Sequence, residues 1–194
     1  MQEKLKLGFA LCGSFCTFSR AFSAMEQLRE EYEIYPILSE RAALTDTKFG
    51  KADAHLKRIE EICGRKPILT VPQAEPIGPK KMFDLLLVAP CTGNTMAKLA
   101  AGIIDGTVTM AVKSHLRTER PVVLCIATND ALKAGAVNLG TLLNRKNYYF
   151  VPFGQDDCIE KPSSLVADFS KIASTLRYAY CGKQIQPLLY GDKE

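Results

Sequence analysis

Phe83-Asp84-Leu85-Leu86-Leu87-Val88-Ala89-Pro90-Cys91-Thr92-Gly93-Asn94-Thr95-Met96-Ala97-Lys98-Leu99-Ala100 is the stretch whose reading decides the fold. The apolar run from Leu85 reads as a strand buried on both faces, Ala89-Pro90 is expected to end it, and Met96, Ala97, Leu99 and Ala100 resume at helical spacing. Between strand and helix lies a small polar turn. Thr92, Asn94 and Thr95 offer side-chain oxygens that cap a helix, Gly93 lets the backbone approach a ligand, and the first-turn N–H groups are left for an anion. A strand, a short polar turn and a helix in that order is how an α/β protein holds a cofactor at the carboxyl end of its sheet. Plain helix capping would use the same residues.

The same unit recurs on both sides. Leu5 to Leu11 reads as a first strand, followed by Cys12-Gly13-Ser14-Phe15-Cys16-Thr17 and a helix through Ala21, Phe22, Met25 and Leu28. Gly13 and Ser14 could cradle a phosphate, although neither Gly-x-Gly-x-x-Gly nor a P-loop ending is present. Tyr32 to Leu38 forms a second strand, with Glu40 just beyond it, about where a ribose-binding carboxylate would be sought. Lys51 to Cys63 has a helical repeat, and His55 is expected on its exposed side. Pro67 to Val71 reads as a short strand and Pro72 to Pro79 as a proline-stiffened loop.

Beyond the central unit, Gly102 to Gly106 breaks two helices. The second ends near Lys113-Ser114-His115-Leu116-Arg117, where basic residues suit a helix C-terminus and could also meet an anion. Pro121 to Ile126 is a further apolar strand, closed by Ala127-Thr128-Asn129-Asp130, and a helix to about Arg145 follows. Tyr148 to Val151 is expected as the last strand. Leu165, Phe169, Ile172 and Leu176 mark a final helix begun by Pro162-Ser163. Strands alternating with helices predict a single α/β domain, a doubly wound parallel sheet of the Rossmann-like or flavodoxin-like kind flanked by helices. The domain is expected over residues 1–181, with a loose tail over 182–194. Several small polar turns would then converge on one edge of the sheet.

Composition agrees and narrows the function. The 194 residues are 47% hydrophobic and 24% charged, with a formal net charge of +4, ordinary globular usage. Lys and Arg are interleaved with acids, which gives nucleic-acid binding little support. Seven cysteines, an odd number, lie mostly in or beside apolar stretches, as expected of reduced thiols in a cytosol. With two histidines and no C-x-x-C spacing at Cys12 and Cys16, no metal site is expected. No apolar run approaches the ~20 residues of a membrane span, so the expectation is a cytoplasmic protein.

Taken together, the turns resemble the flavoprotein family of homo-oligomeric FMN-containing cysteine decarboxylases and their relatives, over roughly residues 5 to 155. Pro90-Cys91-Thr92-Gly93-Asn94-Thr95 is similar to that family's Pro-Ala-Ser-Ala-Asn-Thr motif, and Ala97-Lys98-Leu99-Ala100-Ala101-Gly102-Ile103 to the run that follows it. Gly13-Ser14 matches the family's phosphate turn. Asn129 is the residue kept where the family has Pro-x-Met-Asn. The resemblance implies an FMN-type pocket in which Gly13, Ser14 and Ser39 face the phosphate. Thr92, Asn94 and Thr95, led in by Pro90, would face ribityl or ring, with Thr128 and Asn129 closing the site. It also implies a homo-oligomer, a trimer or larger. The family's essential His before the central strand is missing, since that region reads Gln73-Ala74-Glu75-Pro76-Ile77, so decarboxylation is not expected.

Ala89-Pro90-Cys91-Thr92-Gly93-Asn94-Thr95, Lys113 to Arg117 and Tyr149-Phe150-Val151-Pro152-Phe153-Gly154-Gln155-Asp156-Asp157 resemble a sporulation-linked branch of that family. That resemblance implies action beside a second subunit similar to an NAD(P)-binding dehydrogenase, in the oxidation of a dihydropyridine dicarboxylate to its aromatic form. If a residue must take the ring proton, Glu75 and His115 are the candidates. Two alternatives stay open. The chain could be a non-catalytic scaffold, or bind the dianionic product through Lys113, His115 and Arg117, while the partner carries NADP; or it could bind NADP directly at Gly13-Ser14, with Glu40 on the ribose.

Overall fold

The computed structural model describes residues 4–190. Its centre is β3 (Leu85–Cys91), and Leu85, Leu86, Leu87, Val88 and Ala89 are all fully buried. A strand without polar alternation is stable only when both its faces are covered. β1 (Leu5–Leu11) lies between β3 and β2 (Tyr32–Leu38). On the other side β3 pairs with β4 (Val122–Thr128), whose first half pairs with β5 (Tyr148–Phe150). All four pairings are parallel, and the spatial order is 2-1-3-4-5. In that order the connections leave β1 and β3 in opposite directions, so the crevice beyond their carboxyl ends is where a ligand fits.

The helices supply the covering layers. α1 (Phe18–Leu28), α2 (Glu40–Leu44) and α3 (Ala52–Cys63) follow the first two strands, and α4 (Val71–Ala74) is a single turn before β3. α5 (Gly93–Ala101), α6 (Thr107–Leu116), α7 (Ala136–Leu143) and α8 (Ile172–Tyr180) complete the set. Met25, Leu28, Met96, Val112 and Leu176 are the apolar residues these helices bury.

Several expectations needed correction. β3 does not stop at Ala89-Pro90 but runs through a cis Ala89–Pro90 peptide to Cys91. Proline has no N–H for a ladder, and the register with β4 shifts between Val88 and Cys91, where that donor is not required. Residues 67–71 are not a strand. Ile68 alone bridges Ile37, and Thr70 caps α4 in a capping box with Gln73, so the expected loop opens as a helical turn. His55 is buried, packed edge-on against Phe18 and tilted against Phe22. The helix expected after Asp130 starts only at Ala136, because the Asp130 carbonyl first accepts from the N–H groups of Lys133 and Gly135.

The last third departs most. Leu165 opens a strand instead of a helix. β7 (Leu165–Ala167) pairs antiparallel with the end of β4 and with β6 (Phe153–Gly154), burying Leu165 and Ala167 on alternate positions. The stretch expected to be loose is tied down as far as Tyr190. The Gln184 side chain accepts from Phe150 N–H at 2.8 Å and donates to Phe150 O at 2.7 Å, as a neighbouring strand would. Tyr190 Oη donates to Val166 O at 2.8 Å. Residues 191–194 of that tail lie outside the described residues.

Candidate functional site

Three strand ends and the turns after them form the site. After β3, Thr92 caps α5, its Oγ1 accepting from Thr95 N–H at 3.3 Å and donating to Thr95 Oγ1 at 3.1 Å. Thr95 Oγ1 in turn donates to Cys12 Sγ at 3.2 Å, which ties the β3 turn to the end of β1. Burial pushes the Cys12 thiol up to about 11, so it stays neutral and serves as an acceptor. Pro90 O accepts from Cys12 N–H at 3.3 Å as a second tie. These bonds occupy Thr95 and Pro90 in holding the two strand ends together. Asn94, one position along, is exposed and makes no side-chain hydrogen bond among the described residues. The N–H groups of Gly93 and Asn94 open the helix without intrahelical acceptors.

The turn after β4 presses against this helix start. A Cβ on Gly93 would stand 2.5 Å from Thr128 Oγ1 and 2.8 Å from Asp130 Oδ1, so only glycine fits there. Thr128 Oγ1 donates to Asp130 Oδ1, closing the turn on itself, while Asn129 is exposed beyond it.

Around these turns lies a hollow with two lobes that share Gly13, Thr92 and Asn94. The narrower lobe, about 460 Å³, is walled by Ser39, Glu40, Arg41, Lys98 and Gly106. The wider, about 750 Å³, is walled by Ser14, Phe15, Phe49, Asn129, Asp130 and Lys161. Both volumes suit a small-molecule ligand. Ser14, Asn94 and Asn129, distant in the chain, thus meet at one rim.

The narrow lobe has a definite charge pattern. Glu40 Oε1 accepts from both N–H and Oγ1 of Thr107 at 3.0 Å each, so its carboxylate is engaged at the start of α6. Lys98 pairs with Asp105 at 2.8 Å and holds that carboxyl below its usual range. Ser39 caps α2 through Ala42 N–H at 3.3 Å. Arg41 lines the lobe, is exposed and has no ion pair among the described residues, leaving its guanidinium for a ligand anion.

Neither acid–base candidate reaches the hollow. The Glu75 main-chain carbonyl is bound by Ser114 Oγ at 2.6 Å, and Ser114 stands five residues along α6 from Thr109, the last residue of that helix to line the lobe, or about 7.5 Å further on; Glu75 lines neither lobe. His115 is 1% exposed, and its Nε2 donates to Pro121 O at 3.1 Å. Pro121 precedes β4 at its amino end, and the hollow lies at its carboxyl end, about 20 Å away along the strand. Lys113 and Arg117, expected with His115 as a product site, share that distant end. Glu40, sought as a ribose partner, is already held by Thr107. The groups overlooked in the sequence are Arg41, Asp130 and Lys161. Arg41 and Asp130 each stand at a strand-end turn of small polar residues, which is the signal that could have found them.

A family model described as Flavoprotein matches residues 1–171. The chain belongs to the flavoprotein family. Within it, the chain is 42% identical over 185 residues to the dipicolinate synthase B subunit of Bacillus subtilis (strain 168), covering 95% of this chain and 92% of that one. The crystal structure of the dipicolinate synthase B subunit from Bacillus halodurans matches over 100% of both chains, at 38% identity and a TM-score of 0.90. An FMN-dependent cysteine decarboxylase, SpaF, matches at 24% identity and a TM-score of 0.67, over 90% of this chain and 97% of that one, and shows the shared fold. This flavoprotein therefore has the α/β architecture of its family, with the hollow at the β1/β3 crevice.

Proposed function

We propose that this flavoprotein is the flavin-holding subunit of a dipicolinate synthase and takes part in the oxidation of dihydrodipicolinate to dipicolinate. The observation that carries the reading is the meeting of Gly13, Ser14, Asn94 and Asn129 at one hollow beside the uncommitted Arg41. The residues fit FMN. Arg41, the hydroxyls of Ser39 and Ser14 and the Gly13 N–H would take the phosphate, since the Ser14 N–H already donates to Cys12 O at 2.8 Å; Asn94 would meet the ribityl chain or ring edge, and Phe15 and Phe49 give the wider lobe apolar walls. FMN, when bound, supplies the acceptor for a hydride from a dihydropyridine, and aromatisation of that ring drives the transfer. The protein's part would be to hold flavin and substrate together in the hollow.

In this reading Asn129 and Lys161, the latter paired with Asp156 at 3.4 Å, would orient the substrate carboxylates, and Asp130 would accept the ring proton in place of Glu75 and His115. NADP belongs, in this reading, to the partner, the A subunit of dipicolinate synthase. On the same proposal, the chain forms a homo-oligomer, a trimer or larger. No helix among the described residues is long and apolar enough to cross a membrane. The proposed setting is the mother-cell cytoplasm of a sporulating bacterium.

Anaerobic mixing of the FMN-loaded chain with dihydrodipicolinate, in isolation and with the dehydrogenase-like partner present, tests the reading. Bleaching of the flavin band by substrate supports it. A chain that takes up no flavin and only raises the activity of that partner would establish the scaffold alternative instead.

A further inference from the structure

Phe49 is half exposed, a large aromatic side chain with no helix or strand around it, and it lines the wider lobe. It is carried by a closed turn: Thr47 N–H donates to Gly50 O at 3.0 Å, Gly50 N–H to Thr47 O at 3.1 Å, and Phe49 N–H to Thr47 Oγ1 at 3.1 Å. The turn is anchored on both sides. Asp46 Oδ1 accepts from Ala52 N–H at 2.9 Å at the start of α3. Gly50, at φ +142°, packs so closely on the His55 imidazole that a Cβ there would lie 2.6 Å from its Cε1. His55 Nε2 is buried with no hydrogen-bond partner, so the ring serves the turn as a packing surface. Lys48 Nζ lies over the Phe49 ring, 5.2 Å from its centroid, and the half-exposed ring still lines the lobe.

An aromatic ring held on a preformed turn at the mouth of a ligand-sized hollow costs little to immobilise. We infer that the Thr47–Gly50 turn is a fixed clamp presenting Phe49 to the flat ring of a bound heteroaromatic ligand. The inference rests on the hollow being a flavin and pyridine site, as proposed above. Two rings have the required chemistry, the isoalloxazine of FMN and the pyridine of a dicarboxylate substrate, and the test separates them.

The parent chain and the variants Phe49→Ala, Phe49→Leu and Phe49→Trp are titrated with FMN and, after FMN loading, with pyridine-2,6-dicarboxylate. Thermal unfolding of the ligand-free chains runs alongside. Loss of a stacking partner should weaken one ligand about tenfold in Phe49→Ala. Phe49→Leu should recover little of this and Phe49→Trp most of it, with the ligand-free melting temperature unchanged in all three. A loss confined to FMN places the isoalloxazine against Phe49, and a loss confined to the dicarboxylate places the pyridine there. Full affinity for both ligands in Phe49→Ala overturns the inference, and so does Leu performing as well as Trp. A parent chain that takes up no FMN refutes the flavin reading; the dicarboxylate titration, run on the unloaded chain, then decides on Phe49, and its failure too would overturn the clamp.

Discussion

Replacing Gly93 with alanine would put a methyl carbon 2.5 Å from Thr128 Oγ1 and 2.8 Å from Asp130 Oδ1. Neither oxygen sits at the end of a long flexible side chain, and the two are bonded to each other, so the whole turn after β4 must withdraw. Overpacking of this kind costs roughly 1–3 kcal/mol. Alanine is favoured over glycine within a helix by about 0.5–1 kcal/mol, and less than that in the first turn. The balance is a loss of about 1–2 kcal/mol, or a fall of roughly 2–8 °C in Tm for a chain of this size. The withdrawal also moves Asn129 away from Asn94, so FMN affinity should drop by more than the stability loss alone would cause. Thermal unfolding of the ligand-free chain and a fluorescence titration with FMN measure the two effects. A variant as stable as the parent and with the parent's affinity would refute the claim that the β3 and β4 turns bear on each other to shape the hollow.

Three further outcomes follow from the geometry. Asn94→Ala should leave ligand-free stability within about 0.5 kcal/mol and weaken FMN about tenfold; equal losses in both would make Asn94 a structural residue. Arg41→Ala should weaken FMN much more than riboflavin, which lacks the phosphate, and an equal loss for both ligands would place the anion elsewhere. His115 is held down to about 4 by burial, opposed by its hydrogen bond to Pro121 O, against an ordinary 6.5. The unfolded chain therefore takes up a proton near pH 6.5 and the folded chain only near 4. The neutral ring's contribution is intact above pH 6.5 and declines as pH falls to 4, by up to about 3 kcal/mol. Urea unfolding between pH 4 and 7 should show this slope in the parent and a flatter one in His115→Gln; identical slopes would contradict the assignment.

The parts of the fold legible in the sequence are those where apolar runs are long. β1 and β2 begin and end where expected, because each keeps a buried apolar run toward its carboxyl end, Leu7 to Leu11 and Pro36 to Leu38, with Lys6 and Glu33 confined to the less buried first half. Pro90 misled because a missing N–H ends a strand only where a neighbour needs that donor, and the register shift removes the need. β6 and β7, two and three residues long, are too short to show a period of two. Leu165, Phe169, Ile172 and Leu176 fall at helical intervals by coincidence, and only the last two belong to α8.

At the candidate site, the convergence of Gly13, Ser14, Asn94 and Asn129 on one hollow was legible because a parallel sheet delivers every strand's carboxyl end to one edge. The roles of Glu40 and His115 were not. Sequence spacing gives no warning that Thr107 on a distant helix claims Glu40, or that α6 turns its last His inward to Pro121.

The most direct measurement is the visible absorbance spectrum of the chain after incubation with FMN and removal of free flavin by gel filtration. The account predicts a flavin band that travels with the protein and is lost from a chain carrying both Arg41→Ala and Asn94→Ala. Flavin eluting wholly apart from the parent protein would contradict it.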